Sequence, residues 1–115
     1  MEEEFWNFAD ALLARSRIMI DRPKGSIHPQ NPEAIFPLDY GYLEGTVSGD
    51  GFGIDVWLGS LGKKRVTAVV CTIDMAKSDA ELKLLIGCTP KEQDLILKLH
   101  NRGSQSAILV RRHSK

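Results

Sequence analysis

Two pairs of aspartates in this sequence share one spacing: Asp50 and Asp55 lie five residues apart, and so do Asp74 and Asp79. If the two strands joined by residues 59–64 are neighbours in a sheet, Asp55 and Asp74 should lie at the same edge. Converging carboxylates repel one another unless a cation lies between them, and oxygen ligands without histidine or cysteine suit Mg²⁺ or Mn²⁺. Spacing alone leaves a second interpretation open, in which these acids form turns by hydrogen bonding to the backbone.

The stretch DYGYLEGTVSGDGFGIDV contains both kinds of residue that such a site needs, glycines and acids. Glycines allow the backbone to approach a ligand closely. Asp55, however, stands between Ile54 and Val56, in a run typical of a buried strand. A carboxylate there must be neutralised, because burying an unpaired charge is strongly unfavourable.

Composition limits the class of protein. The 115 residues are 43% hydrophobic and 26% charged, which predicts one folded domain spanning residues 1–115. Basic and acidic residues balance at 15 each, so no net field attracts nucleic acid. No apolar run approaches the roughly 18 residues of a membrane span, and the acidic start, MEEEF, is unlike a signal peptide, so we expect a cytoplasmic protein without membrane contact. Cys71 and Cys88 lie in apolar surroundings and are expected to be buried thiols.

Hydrophobic periodicity predicts a helix over residues 3–16, and Thr89 opens a capping box that predicts a second helix over residues 90–102. Strands are predicted over residues 17–21, 40–47, 54–58, 65–73, 82–87 and 107–110, with an irregular proline-rich loop up to Pro37. Arg111, Arg112 and His113 are expected to extend into solvent. The fold class predicted is α+β, mainly β: a small OB-like Greek-key barrel with an N-terminal helix and one helix near the C-terminus.

The run FPLDYGYLEGTVSGDGFGIDV, with IDRPKGS before it and DMAKSD after it, resembles the soluble family I inorganic pyrophosphatases. That family has a Tyr-Pro-x-x-Tyr-Gly segment, then Asp-Gly-Asp-Pro-x-Asp, then two aspartates five apart with a phosphate-binding lysine two residues later. The resemblance covers most of residues 17–87. It implies hydrolysis of inorganic pyrophosphate, or of another small phosphate-containing molecule, in a homo-oligomer.

The resemblance also implies roles for particular residues. It makes Asp50, Asp55, Asp74 and Asp79 ligands of Mg²⁺, with Mn²⁺ as an alternative, and Asp55 a catalytic residue as well. Asp21 stands where the family has a glutamate and is included among the metal ligands. Tyr40 and Lys24 are expected to orient phosphate during catalysis, and His28 is expected to contact substrate.

The sequence departs from the family pattern at several positions. Phe52 replaces the middle acid of the signature, the proposed base, and is either an apolar plug or a stacking surface for an organic group. Phe36 replaces the first tyrosine, Glu81 stands at the position of the lysine, and residues 26–35 and 99–101 lack the family's basic side chains. Replacement cations, unless they are ordinary surface charges, are Lys24, His28, Lys77, Lys83, Lys98 and Arg102.

Three hypotheses therefore stand. The first is a Mg²⁺-dependent pyrophosphatase, and the second is a relative that binds metal and a phosphate ligand without turnover, as Phe52 and Glu81 suggest. The third, an OB-type single-strand binder, is disfavoured by the absence of net charge and by acids on the loops. Trp6 and the basic C-terminal residues are candidates for an oligomer interface.

Overall fold

The structure is a computed structural model and describes residues 1–113. The chain is mainly β, with one helix at the N-terminus and one near the C-terminus before the last strand, and the predicted fold class is confirmed. The elements are α1 (Glu2–Ala14), β1 (Arg17–Arg22), β2 (Ile27–His28), β3 (Asn31–Ile35), β4 (Asp39–Glu44), β5 (Ile54–Leu58), β6 (Val66–Asp74), β7 (Asp79–Ile86), α2 (Pro90–Leu99) and β8 (Gln105–Arg111). Neither helix in this part of the chain is long and apolar enough to cross a membrane.

Six strands form one sheet in the order β1-β4-β5-β7-β6-β8. All neighbours are antiparallel except β5 and β7, which run parallel with Val56 opposite Leu84. The expectation that β5 and β6 are neighbours is therefore wrong. The chain reverses tightly between Asp74 and Asp79, so β7 pairs along β6 and occupies the place beside β5.

The proline-rich segment is more regular than the sequence predicted. β2 and β3 form a separate two-stranded hairpin, in which Ile27 pairs with Ile35. Its base is joined to the chain by hydrogen bonds from Gly25 N–H to the Phe36 carbonyl (2.8 Å) and from Phe36 N–H to the Ser26 carbonyl (2.9 Å). Local pairing of extended chain satisfies these backbone groups, which composition alone does not reveal.

The sheet has a buried cluster on each face. On one face α1 packs Trp6, Ala9 and Leu13 against strand residues that include Leu43 and Val56. On the other face Trp57 and Leu85 pack with Ile96 of α2. Alternation along β5 therefore sends Val56 to one cluster and Trp57 to the other, as the pleat of a strand requires.

Arg111 and Arg112 hold the two helices to the sheet and do not extend freely into solvent, whereas His113 is exposed as predicted. Arg112 donates to the Asp10 carboxylate at 2.8 Å and lies 5.8 Å from the ring of Trp6, which is itself buried. Arg111 donates to Gln93 at 2.9 Å and also binds Asp94. Trp6 is consequently a core residue of this chain and is not presented to a partner.

Gly41, the glycine of the Tyr-Gly pair, allows β1 and β4 to approach closely. A Cβ atom at this position would lie 1.9 Å from the carbonyl oxygen of Met19. Since the obstruction is backbone, no side-chain rotation relieves it. The glycine serves the packing of strands, so one of the glycines expected to face a ligand has a structural explanation.

We expect Gly41→Ala to lower the free energy of unfolding by about 3 kcal/mol or more, because β1 must shift away from β4. Gly49→Ala is the matched control, since a Cβ atom at Gly49 meets no atom within 4 Å. Urea denaturation of both variants measures the difference. Equal stability of the two would contradict the close-approach explanation.

Candidate active site

Strand register brings Tyr40, Asp55 and Lys83 to one face of the sheet. Tyr42 is opposite Asp55 across β4 and β5, so Tyr40 and Asp55 point to the same side. The parallel pairing of Val56 with Leu84 places Lys83 beside Asp55 on that side. Three residues from three strands thus meet at the centre of the sheet.

Lys83 is the positive charge that neutralises Asp55. Its Nζ donates to Asp55 Oδ2 at 2.8 Å, to the Tyr40 hydroxyl at 2.7 Å and to Glu81 Oε2 at 3.4 Å. An ammonium group has three protons, so each one has an acceptor. Lys83 is only 5% exposed, so the interpretation of this lysine as an ordinary surface charge is wrong.

Burial and charge fix the proton positions in this network. Burial by itself lowers the pKa of Lys83, but the negative charge and hydrogen bonds of its partners outweigh burial and raise the pKa above its usual value. For Tyr40, burial dominates over the nearby ammonium and raises the pKa to about 12. At neutral pH the centre therefore holds a charged lysine and a protonated phenol.

A cavity of about 390 Å³ lies between α1 and the sheet next to this network, and we call it the acidic cavity because Asp50, Asp55 and Glu81 are among its lining residues. Most of its other lining residues are apolar and include Phe8 and Leu12 of α1. Asp50 lies in an exposed turn, where it accepts from the Ser48 hydroxyl and from Phe52 N–H (2.9 Å). The Ser48 hydrogen bond is the main cause that lowers the pKa of Asp50, so this acid is charged at neutral pH.

Glu81 and Lys83 change the comparison with the family pattern. The sequence suggested that a lysine two residues after an aspartate had been replaced by Glu81. The structure shows an acid and a lysine two residues apart on β7, Glu81 and Lys83, both at the Asp55 network. If the family pattern is matched two residues further along the chain, Glu81 stands at the position of the aspartate and Lys83 at the position of the phosphate-binding lysine. Fixed offsets from Asp74 could not reveal this displacement.

The predicted convergence of Asp50, Asp55, Asp74 and Asp79 does not occur. Asp74 and Asp79 are opposite each other at the turn end of the β6–β7 hairpin, and four residues of strand, about 13 Å, separate Asp79 from Lys83. Asp74 accepts from Ser104 Oγ (2.8 Å) and from the N–H groups of residues 76 and 77, and the serine bond is the main cause that lowers its pKa. The alternative interpretation of these acids as turn formers describes Asp50 and Asp74 well.

Two further predicted residues lie apart from the network. Asp21 is exposed on the edge strand β1, at an irregularity in its pairing with β4. Lys24 is exposed in the turn that follows, where its backbone N–H donates to Asp39 Oδ1 at 2.7 Å. Neither residue lines the acidic cavity. Phe52 is 76% exposed, so it does not plug the core between its neighbouring glycines.

A second cavity, of about 280 Å³, opens on the Tyr40 side of the network, and we call it the aromatic cavity. Phe36, Tyr40 and Trp57 form its aromatic wall, with the Tyr40 and Trp57 ring centroids 4.6 Å apart. His28 and Arg102 also line it, and none of its described lining residues is acidic. His28 of the prediction therefore lies at a cavity together with Tyr40.

His100 is a site residue that the sequence analysis missed. It is buried behind Trp57, whose indole N–H donates to His100 Nε2 at 3.1 Å, while His100 Nδ1 lies 2.8 Å from Gln105 Oε1. This arrangement requires the neutral ring with its proton on Nδ1. Burial lowers the pKa of His100, which agrees with a neutral ring. A single histidine at a helix end carries no sequence signal that distinguishes it from a surface residue.

The acids near Lys83 suit the divalent cation that the family pattern implies in donor type but not in grouping. Carboxylate oxygens of Asp50, Asp55 and Glu81 are chemically suited to Mg²⁺ or Mn²⁺. Within residues 1–113, however, no three or more acidic, histidine or cysteine side chains are grouped closely enough to hold a metal ion. Lys83 instead forms ion pairs with Asp55 (2.8 Å) and Glu81 (3.4 Å). The donors fit a hard cation in type, and binding one requires them to exchange Lys83 for it.

The sequence matches no protein-family model and no curated protein. The structure is similar to the inorganic pyrophosphatase of Helicobacter pylori, with a TM-score of 0.58 and 14% identity over 86% of each chain. It is also similar to a protein described as an inorganic phosphatase from Anaplasma phagocytophilum, with a TM-score of 0.57 and 15% identity over 82% of this chain and 81% of the other. A pyrophosphatase from Coxiella burnetii gives a TM-score of 0.50 at 15% identity, with the same coverage.

These similarities confirm the predicted resemblance at the level of fold. The chain has a divergent form of the family I inorganic pyrophosphatase fold, and the alignment covers more than four fifths of each of these chains. At 14–15% sequence identity these similarities establish the fold alone, and the chemistry of this chain depends on the residues of its own site.

We expect Lys83→Met to lower the free energy of unfolding by about 2–3 kcal/mol, because it leaves Asp55 and the Tyr40 hydroxyl without their shared donor. Lys98→Met, which changes an exposed lysine of α2, should have little effect. Chemical denaturation at pH 7 compares the two. A Lys83→Met protein as stable as the control would show that the network contributes nothing to folding.

Acidification should destabilise the fold through His100. Above about pH 6.5 the ring is neutral in the folded and the unfolded chain. Below that pH the unfolded chain takes up the proton first, because the folded pKa is lowered, so stability falls as pH decreases from 6.5 towards the folded pKa. Urea unfolding between pH 7.5 and 5.5 should show this slope in the wild type and in the exposed control His113→Gln, and a smaller slope in His100→Gln.

Proposed function

We propose that this protein binds inorganic pyrophosphate or a related small phosphoanhydride and hydrolyses it to phosphate. The observation that carries the proposal is the Tyr40–Lys83–Asp55 network, in which Asp55 also lines the acidic cavity and Tyr40 also lines the aromatic cavity. Phosphoryl transfer depends on positioning and on charge stabilisation, and this network offers an ammonium group, a carboxylate and a phenol within hydrogen-bond distance of one another. The pyrophosphatase-like fold supports the same assignment.

The aromatic cavity is the side on which we place phosphate. Arg102 and His28 supply donors at its wall, and the absence of acids among its described lining residues favours an anion. Tyr40 lies at its base with a phenol that keeps its proton at neutral pH, since its pKa is about 12. Tyr40 would donate a hydrogen bond to a phosphate oxygen while it accepts one from Lys83.

The acidic cavity is the side on which we place a divalent cation, Mg²⁺ or in its place Mn²⁺. Asp50, Asp55 and Glu81 would hold it, and when bound it would neutralise phosphate charge and activate water. Lys83 then becomes free to face the phosphate, because its carboxylate partners are engaged elsewhere. The lysine would provide positive charge between the two cavities in either state.

A second candidate function is binding of a phosphate compound without turnover. Two observations favour it. Phe52 stands where the family pattern has the acid proposed as the base, and Lys83 already neutralises Asp55 and Glu81. If the carboxylates keep Lys83 and bind no cation, the aromatic cavity would still bind an anion.

Phosphate release from pyrophosphate with Mg²⁺ tests the proposal. We expect Mg²⁺-dependent release by the wild type and a fall of about 10²–10³ in Asp55→Asn, as for the loss of one electrostatic group in comparable sites. Glu44→Gln, at an exposed position at the end of β4, is the matched control and should retain the wild-type rate. Phe52→Asp should raise the rate by restoring an acid beside Asp50.

The outcomes separate the two functions. Release that depends on Mg²⁺ and on Asp55 supports hydrolysis. Binding of pyrophosphate in calorimetry with no release, even from Phe52→Asp, rejects hydrolysis and supports the binding function. No release and no binding rejects both.

Two charge-removing substitutions on β7 distinguish the original and the displaced match to the family. Glu81 lines the acidic cavity, whereas Asp79 lies at the far end of the strand. We expect Glu81→Gln to reduce the Mg²⁺-dependent rate at least tenfold more than Asp79→Asn does. Steady-state rates at saturating and limiting Mg²⁺ measure the difference. A larger loss of rate in Asp79→Asn would favour the metal ligands predicted from the sequence, which include Asp79 and not Glu81.

A further inference from the structure

The aromatic cavity contains more apolar surface than an inorganic anion needs. Phe36, Tyr40 and Trp57 pack together with ring centroids between 4.6 and 5.9 Å apart, and Phe36 and Tyr40 are half-buried whereas Trp57 is only 1% exposed behind them. The ring of His28 lies parallel to Phe36, with an interplanar angle of 3° and 5.8 Å between centroids. Aromatic faces of this kind bind flat π-systems, whereas pyrophosphate gains little from them.

The polar side chains of the cavity present mainly donors. The Asn31 amide oxygen accepts from Glu33 N–H (3.3 Å), and the Gln105 amide oxygen lies 2.8 Å from His100 Nδ1, so both amides have their NH₂ groups left to donate. His28 Nδ1 accepts from Gln30 N–H (3.1 Å), which leaves Nε2–H as a donor. Arg102 adds a guanidinium group, which can only donate.

Rings and donors together specify a class of ligand. Donors match phosphate oxygens and the acceptor edge of a heterocycle, and the aromatic wall matches the face of its ring. The volume, about 280 Å³, is close to the lower limit of roughly 300 Å³ for small-molecule pockets. A mononucleotide combines these properties in one molecule.

We propose that the phosphate compound held by this protein carries an aromatic base, so that its ligand class is a nucleoside diphosphate or a similar nucleotide. The base would lie against the rings of Phe36 and His28, and the phosphates would reach Arg102 and the Tyr40 hydroxyl. The inference rests on the proposed function in that it uses the same anion site. It adds the part of the ligand that gives selectivity.

A matched pair of ligands tests this: adenosine diphosphate, and methyl diphosphate, which has the phosphates without the ring. Trp57 lines the cavity and reports binding by fluorescence, measured in a Trp6→Phe background to remove the second indole. We expect adenosine diphosphate to bind at least about fivefold more tightly, since one stacked base contributes roughly that much or more.

Variants assign the selectivity to its residues. Phe36→Leu should reduce the affinity for adenosine diphosphate more than the affinity for methyl diphosphate, and Arg102→Gln should reduce both alike. Lys98→Gln, an exposed change on α2, should alter neither. Circular dichroism of Phe36→Leu checks that the protein is folded, and Phe36→Tyr, which keeps an aromatic ring, should restore the selectivity.

The results distinguish this inference from the proposed function. Equal affinity for the two ligands overturns the inference, and pyrophosphate hydrolysis can still be observed in that case. Selective binding of adenosine diphosphate without phosphate release supports the inference and rejects hydrolysis. Failure of every diphosphate, including pyrophosphate, to bind overturns both.

Discussion

The buried ammonium group of Lys83 is the interaction on which the candidate site depends. It joins β7 to β5 through Asp55 and to the neighbouring β4 through Tyr40, and it sets the charge on each side of the network. Without it, a carboxylate and a phenol would lie in the interior with no shared donor. All three of its protons have acceptors, so the ammonium group is held between Asp55, Tyr40 and Glu81.

Elements whose signals are local could be predicted from the sequence. β5 has the predicted bounds, Ile54–Leu58, and α2 begins with the predicted capping box, in which Thr89 Oγ1 accepts from Glu92 N–H at 3.1 Å. Pairing of strands could not be predicted, since a period of two tells which face a residue occupies and not which strand lies beside it. For this reason the prediction that β5 and β6 are adjacent strands was wrong, and the predicted convergence of the four aspartates, which depended on it, was wrong as well.

In the candidate site, too, features set by local sequence could be predicted and features set by strand pairing could not. Tyr40 and Asp55, two residues to which the family resemblance gave roles, lie in one network because β4 and β5 are consecutive antiparallel strands. Lys83 was present in the sequence as one basic residue among several, and only the parallel pairing with β5 shows that it is buried. Matching at fixed offsets from Asp74 selected Asp79, whereas the fold brings Glu81 to the network.

The parallel pairing of β5 and β7 also affects how the chain reaches this state. Asp55 and Lys83 are 28 residues apart. The chain must run along β6, turn and come back along β7 before β7 can pair with β5 and bring the two side chains together. Contacts of such long sequence separation form slowly, because loop closure costs entropy before the contact is made. The charged centre should therefore assemble late in folding. A partly folded chain with an ordered β6–β7 hairpin would keep this lysine and this aspartate hydrated and apart.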